Sequence, residues 1–265
     1  MNTQLPFSVG SMVSRNLSFV FKYILPYFPV ALLLFAGPAV LFGVLFWTDP
    51  NLGENSNALD IFNSGLMIYV VGVFGVLILL STVFTAFVIH HSTAVIAGHE
   101  TSVKTALIKA FSAFLPMIIY YIIFYIAMLL GLFLFIIPGV FIALAWSAGP
   151  GVIVHEGAGP FTAIRRSMEL TKGYRFQLLG FFILIMLISM AISIVFSVAQ
   201  VAIGTPAATL AGEWSVLVLV GVLLLDIPSQ YITFTLYPLA SAVLYMELRR
   251  VKENYGGETL AQTFD

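Results

Sequence analysis

Long apolar stretches alternate with short polar ones along this chain. Six apolar segments stand out, near 26–48, 64–90, 112–135, 138–154, 177–200 and 225–246. A hydrocarbon core about 30 Å thick is crossed by roughly 20 helical residues, so each segment predicts a transmembrane helix. The segments are too long and too unpatterned to be the amphipathic helices of a soluble core, which would alternate apolar and polar faces. The expected fold is an all-α integral membrane protein with six transmembrane helices, forming one domain over residues 1–265.

Three shorter segments have a different pattern. In the first, Ser11, Arg15, Ser18 and Lys22 form a polar stripe at i, i+4, i+7 and i+11, with Val9, Val13, Leu17 and Val20 over much of the other side. In the second, Val103, Leu107, Ala110 and Phe114 share a face, and in the third Phe161, Ile164 and Met168 do. Polar and apolar faces opposed in this way suit helices lying in the membrane interface. Residues 8–22, 101–113 and 160–174 are therefore expected near the membrane plane. Each precedes a hairpin of two spans, which divides the chain into three similar units, 6–98, 99–156 and 157–255. The last two share a His-Glu pair followed by Thr105 to Lys109 or by Thr162 to Arg166. Internal repetition is one explanation. The other is that any interfacial helix before a span has this character.

Charge orients the bundle. The eleven Lys and Arg fall in four groups: Arg15 and Lys22; Lys104 and Lys109; Arg165, Arg166, Lys172 and Arg175; and Arg249, Arg250 and Lys252. The turns between them, near 48–61, 135–139 and 201–214, contain none, and two carry the acids Asp49, Glu54, Asp60 and Glu213. Basic loops stay cytoplasmic, so both termini are expected inside and the protein in a bacterial inner membrane. A basic inner rim suits anionic lipid headgroups. The first Arg comes only at position 15, so the start does not resemble a cleavable signal peptide. The chain has no cysteine, which excludes disulfides and thiolate metal sites.

Helices in lipid associate through close packing and polar contacts. Gly139, Ala143, Ser147 and Gly151 on the fourth span, and Ser189, Ser193 and Ser197 on the fifth, recur at four-residue spacing. Pro150 is expected to kink the fourth span. The last span is the most polar, with Asp226, Ser229, Gln230, Thr233 and Tyr237 on one helical face. An ionisable residue at membrane depth is a functional-site hypothesis by default. Two readings stand side by side: a buried polar site, or a helix that starts at Pro228 with Asp226 as its cap.

Other chemistry is sparse. His90, His91, His99 and His155 lie at inner ends of spans, and Glu100 and Glu156 each follow a His. Imidazole and carboxylate can bind divalent ions, but there is no HExxH or comparable spacing, so no metal is expected. Glu100 and Glu156 are read instead as acids favouring the N-termini of the inner helices. There is no GxSxG, phosphate loop or Cys nucleophile. No cofactor, nucleic-acid partner or enzymatic activity is expected. The cluster Arg165, Arg166, Lys172 and Arg175 is the candidate site for anionic headgroups.

The second half carries a family resemblance. Pro138, Gly139, Glu156, Ala163, Arg166, Ser167, Leu170, Thr171 and Gly173 reproduce a Pro-Gly turn, a span, a Glu and an Ala-x-x-Arg-Ser-x-x-Leu-Thr-x-Gly motif. Tyr245, Leu248, Arg249, Lys252 and Glu253 match the same group's ending. Residues 130–256 thus resemble the membrane domain fused to some glycerophosphoryl diester phosphodiesterases, and the stand-alone six-span YciC-like bacterial inner-membrane proteins. The resemblance implies the six-span fold. The phosphodiesterase domain is not in this sequence, so its activity does not carry over. Two functions remain: a non-enzymatic organiser of lipid or partner proteins through the basic rim, or a transporter or channel for a small or amphipathic solute using the polar face of the last helix.

Overall fold

In lipid every backbone N–H and C=O must find its partner within the segment, and the apolar runs accordingly become helices. The computed structural model describes residues 7–48, 66–99, 101–211 and 216–253. In chain order its helices are α1 (Val9–Thr48), α2 (Leu66–Ile96), α3 (Val103–Leu134), α4 (Ile136–Trp146), α5 (Gly149–Glu156), α6 (Pro160–Thr171), α7 (Arg175–Ala211) and α8 (Val216–Glu253). Five stretches among the described residues are long and apolar enough to cross a membrane: Val9–Leu34, Val71–Ile96, Val103–Leu134, Ile136–Glu156 and Arg175–Ala202. The chain is a multi-pass helical membrane protein.

Two of the three expected interfacial helices are not separate elements. Residues 9–22 run without interruption into the first span as α1, and residues 103–113 run into the span that follows them as α3. Neither junction holds a glycine at positive φ. The helix also passes Pro26, Pro29 and Pro116, as membrane helices tolerate when neighbours hold the freed backbone groups. Ser8 accepts from the Ser11 backbone N–H, and Ser102 accepts from that of Thr105, so each long helix has a serine at its start. Only α6 stands apart from its span. There Gly173, at φ +93°, takes a left-handed turn that L side chains rarely adopt.

The α3–α4 hairpin turns on a single extended residue, Phe135. Its arms touch backbone to backbone: a Cβ placed on Gly131 would lie 2.9 Å from the Gly139 Cα. The fourth crossing breaks at Ser147 and Ala148, just before Pro150 and not at it. Proline fits the first turn of α5, where its missing N–H would be unbonded anyway. Of the small-residue stripe, Gly139 and Gly151 are buried, and Gly151 lets α5 lie against the Tyr245 side chain. On α7 only Ser189 is buried, while Ser193 and Ser197 are exposed. That helix also continues to Ala211, so the turn expected from residue 201 is helical over most of its length. The acids Asp49, Glu54, Asp60 and Glu213 lie outside the described residues.

At the centre stands α8. From Thr235 to Leu248 it is buried on almost every side, with α1, α2, α5, α6 and α7 packed against it. The helix passes Pro228 and Pro238 without ending. This overturns the expectation of a helix that starts at Pro228: Asp226 lies within α8 and is not its N-cap. The side chain of Asp226 lies outside the described part of the structure.

Candidate functional site: the basic end of the bundle

Glutamates on α8 and α5 gather arginines from three helices. Glu247 is 1% exposed, and its carboxylate meets Arg15 of α1 at 3.5 Å and the Nε of Arg250 at 3.0 Å. Glu253 pairs with Arg166 of α6 and, at 2.8 Å, with Arg249. Glu156, the last residue of α5, accepts from the Tyr245 hydroxyl at 2.8 Å and lies 3.6 Å from Arg166. It thus sits at a helix C-terminus and binds across to α8 and α6, not at a helix start as the sequence suggested. Glu100 lies outside the described residues. Lys252 donates to the backbone carbonyls of Glu169 and Lys172, at 3.0 and 2.7 Å. Burial pushes the Glu253 carboxyl up. Hydrogen bonds from Arg249 and Arg166, together with their charges, outweigh this and hold it below the usual glutamate range.

A second set of bonds closes the break in the fourth crossing. Where α4 ends and α5 begins, backbone groups lose their helical partners. The Ser167 hydroxyl accepts from the Ala148 N–H at 3.1 Å and donates to the Ala145 carbonyl at 2.9 Å. Thr171 donates to the same carbonyl at 3.1 Å. Both hydroxyls are fully buried. Half of the residues that carry the family resemblance are therefore parts of one lock: Arg166 and Glu253 as ion pair, Ser167 and Thr171 as caps, Leu170 and Leu248 in the core, and Gly173 at the turn.

The headgroup candidates separate. Arg166 is spent inside the lock. Arg175 stacks its guanidinium over Phe141, 4.3 Å from the ring centre. Arg165 is 83% exposed and, among the described residues, pairs only with its helical neighbour Glu169; Lys172 is exposed as well. Phe161, 72% exposed, and Met168 share the face of α6 that carries Arg165, and Phe176, 84% exposed, opens α7 just after Lys172. Ile164, read from sequence as part of that face, turns inward instead.

The polar stripe of α8 runs along the edge of its buried side. Ser229 is buried, Thr233 is half-buried, and Gln230 and Tyr237 are exposed. Tyr237 reaches Ser189 of α7 at 3.1 Å, so part of the stripe pairs two helices. The histidines have local roles. The Tyr27 hydroxyl meets the Nδ1 of buried His91 at 2.8 Å, with Tyr23 and Phe87 against the same ring. His99 bonds the Ala97 carbonyl, and His155 lies against Tyr245. His90 stands next to His91 with a buried Nδ1. Among the described residues no three His, Cys, Asp or Glu gather as metal ligands.

Together these features define a class: a multi-pass helical membrane protein whose basic end is locked by paired acids, one of them buried, and helix-capping hydroxyls. Over 77 residues the chain is 39% identical to a UPF0259 membrane protein of Pectobacterium carotovorum subsp. carotovorum (strain PC1). The match covers 29% of this chain, and the chain spans 30% of that relative's length. No family model matches the chain, and no solved structure matches it. The similarity agrees with the stand-alone YciC-like membrane proteins of the resemblance. It does not reach the phosphodiesterase-linked ones.

Proposed function

We propose that this is a non-enzymatic protein of the bacterial inner membrane, with six crossings and both ends of the chain in the cytoplasm, that organises anionic lipid, or partner proteins held through it, at its basic rim. The observation that carries the reading is α6 and the turn after it, where Arg165 shares a helix face with exposed Phe161 and Met168, and exposed Lys172 and Phe176 follow within five residues of its end. Aromatic and thioether side chains bordered by cations suit the boundary between headgroups and acyl chains. Each cation near an anionic surface contributes on the order of 1 kcal/mol. The acids at this end support the reading too, because Glu156, Glu247 and Glu253 are each taken up by arginine or tyrosine.

Native mass spectrometry of the gently extracted protein tests this. Anionic phospholipid should be retained in preference to zwitterionic lipid, and Arg165→Gln with Lys172→Gln should reduce the excess. Equal retention of both lipid classes by the unaltered protein would refute the proposal.

A further inference from the structure

The first half of α1 offers a second polar surface, which the lock uses only through Arg15. Ser11, Ser14, Arg15, Ser18, Phe19 and Lys22 line a groove of about 410 Å³. Arg15 and Lys22 are seven residues apart, which is about 10 Å along a helix, and Ser18 lies between them. Ser14, Ser18 and Lys22 are exposed. Arg15 gives Glu247 one contact at 3.5 Å, and a guanidinium has five N–H donors. No carboxylate is among the residues lining the groove.

The same strip of helix continues upward with a change of character. Beyond Ser14 and Ser18, steps of three and four residues lead to Phe21, Leu25, Phe28 and Leu32, all exposed, with Phe21 at 80% and Leu25 at 79%. Residues at this spacing share a helix face. One continuous strip is thus cationic and hydroxyl-bearing over its first three turns, then apolar. A phospholipid has that sequence of chemistry, an anionic phosphate followed by acyl chains.

We propose that this groove seats the headgroup of a single anionic phospholipid, its phosphate between Arg15 and Lys22 and its chains along Phe21, Leu25, Phe28 and Leu32. The proposal rests on the lipid-organising function above but adds a defined seat to it. The α6 face collects lipid loosely as part of the rim. The α1 groove holds one molecule by two cations and the serine hydroxyls that line it.

The experiment is a titration of delipidated protein with phosphatidylglycerol or phosphatidylcholine of matched chains, read by native mass spectrometry. The first phosphatidylglycerol should bind about tenfold more tightly than those that follow, and phosphatidylcholine should show no such first event. Lys22→Gln with Ser18→Leu should abolish the tight event and leave the weaker ones. Both positions are exposed, so the fold is not at risk, and Lys22→Arg should retain the tight event. Arg15 is left unaltered because it also holds Glu247. Arg165→Gln with Lys172→Gln should do the reverse, thinning the weak events and sparing the tight one. A tight event that survives Lys22→Gln with Ser18→Leu overturns the seat, as does its displacement by millimolar glycerol phosphate, which would mark a site for soluble phosphate. Equal weak binding throughout that falls only with the α6 variants overturns the seat and leaves the lipid-organising function standing. A tight event without weak anionic binding leaves the seat standing and removes the rim.

Discussion

Glu247 is the residue on which the basic end turns. Its carboxylate is buried while Arg15 and Arg250 keep part of their surface in solvent. Removing the acid leaves two cations without their partner. The cost of breaking a fully buried pair is larger, and the exposure of both arginines reduces it to about 1–3 kcal/mol. Glu247→Ala is therefore expected to lower the melting temperature in detergent, and Glu247→Gln to recover part of the loss. Glu253 adds a pH dependence. Its folded-state pKa is held below the ordinary value by Arg166 and Arg249, so its stabilising contribution is present above the usual glutamate range and is lost as pH falls through the folded value. Between neutral pH and about pH 3, below the ordinary glutamate pKa, the unaltered protein should lose more stability than Glu253→Gln, as followed by thermal melts across that range. The sequence showed Arg165, Arg166, Lys172 and Arg175 as one basic cluster. It did not show that Arg166 is consumed by Glu156 and Glu253 or that Arg175 lies on Phe141, because those partners come from other helices and share no spacing rule with it.

At the scale of elements, the break between α4 and α5 shows how a short motif acts. Ser167 and Thr171 lie on α6, yet what they satisfy belongs to residues 145 and 148. Replacing both with Ala and Val keeps the shape and leaves a buried N–H and carbonyl without these bonds. The expected loss is about 1–3 kcal/mol for each group stranded, read as reduced thermal stability in detergent. Gly180→Ala, at a site open to space, is the control that should change little. Helix existence was legible here and helix division was not. The fused starts of α1 and α3 and the separate α6 share similar composition. What distinguishes them is Gly173 at positive φ, which hydrophobic periodicity does not reveal. In the same way Pro228 signalled a helix start, but α8 passes through it, held by neighbours such as α1, whose Ile24 carbonyl accepts from Tyr231 at 2.6 Å.

For the whole molecule, five crossing segments among the described residues were legible because hydrocarbon thickness fixes their length; the expected span 225–246 is not one of the five, and the reading of the basic groups as one end rests on loop charge. Contacts join Arg15 and Arg250 through Glu247, and Arg166 and Arg249 through Glu253, at that end. Reporter fusions after Asn55 and Ala208 should read as external and one after Lys172 as internal; an internal signal at Asn55 would contradict the six-crossing arrangement. On the function proposed here, this basic end gathers anionic lipid. The most direct measurement is the lipid composition of membrane discs cut out around the protein without detergent, compared with that of the surrounding membrane. An excess of anionic phospholipid is expected in the discs, and it should shrink in Arg165→Gln with Lys172→Gln. Discs with the same composition as the bulk membrane, unchanged by those substitutions, would contradict that function.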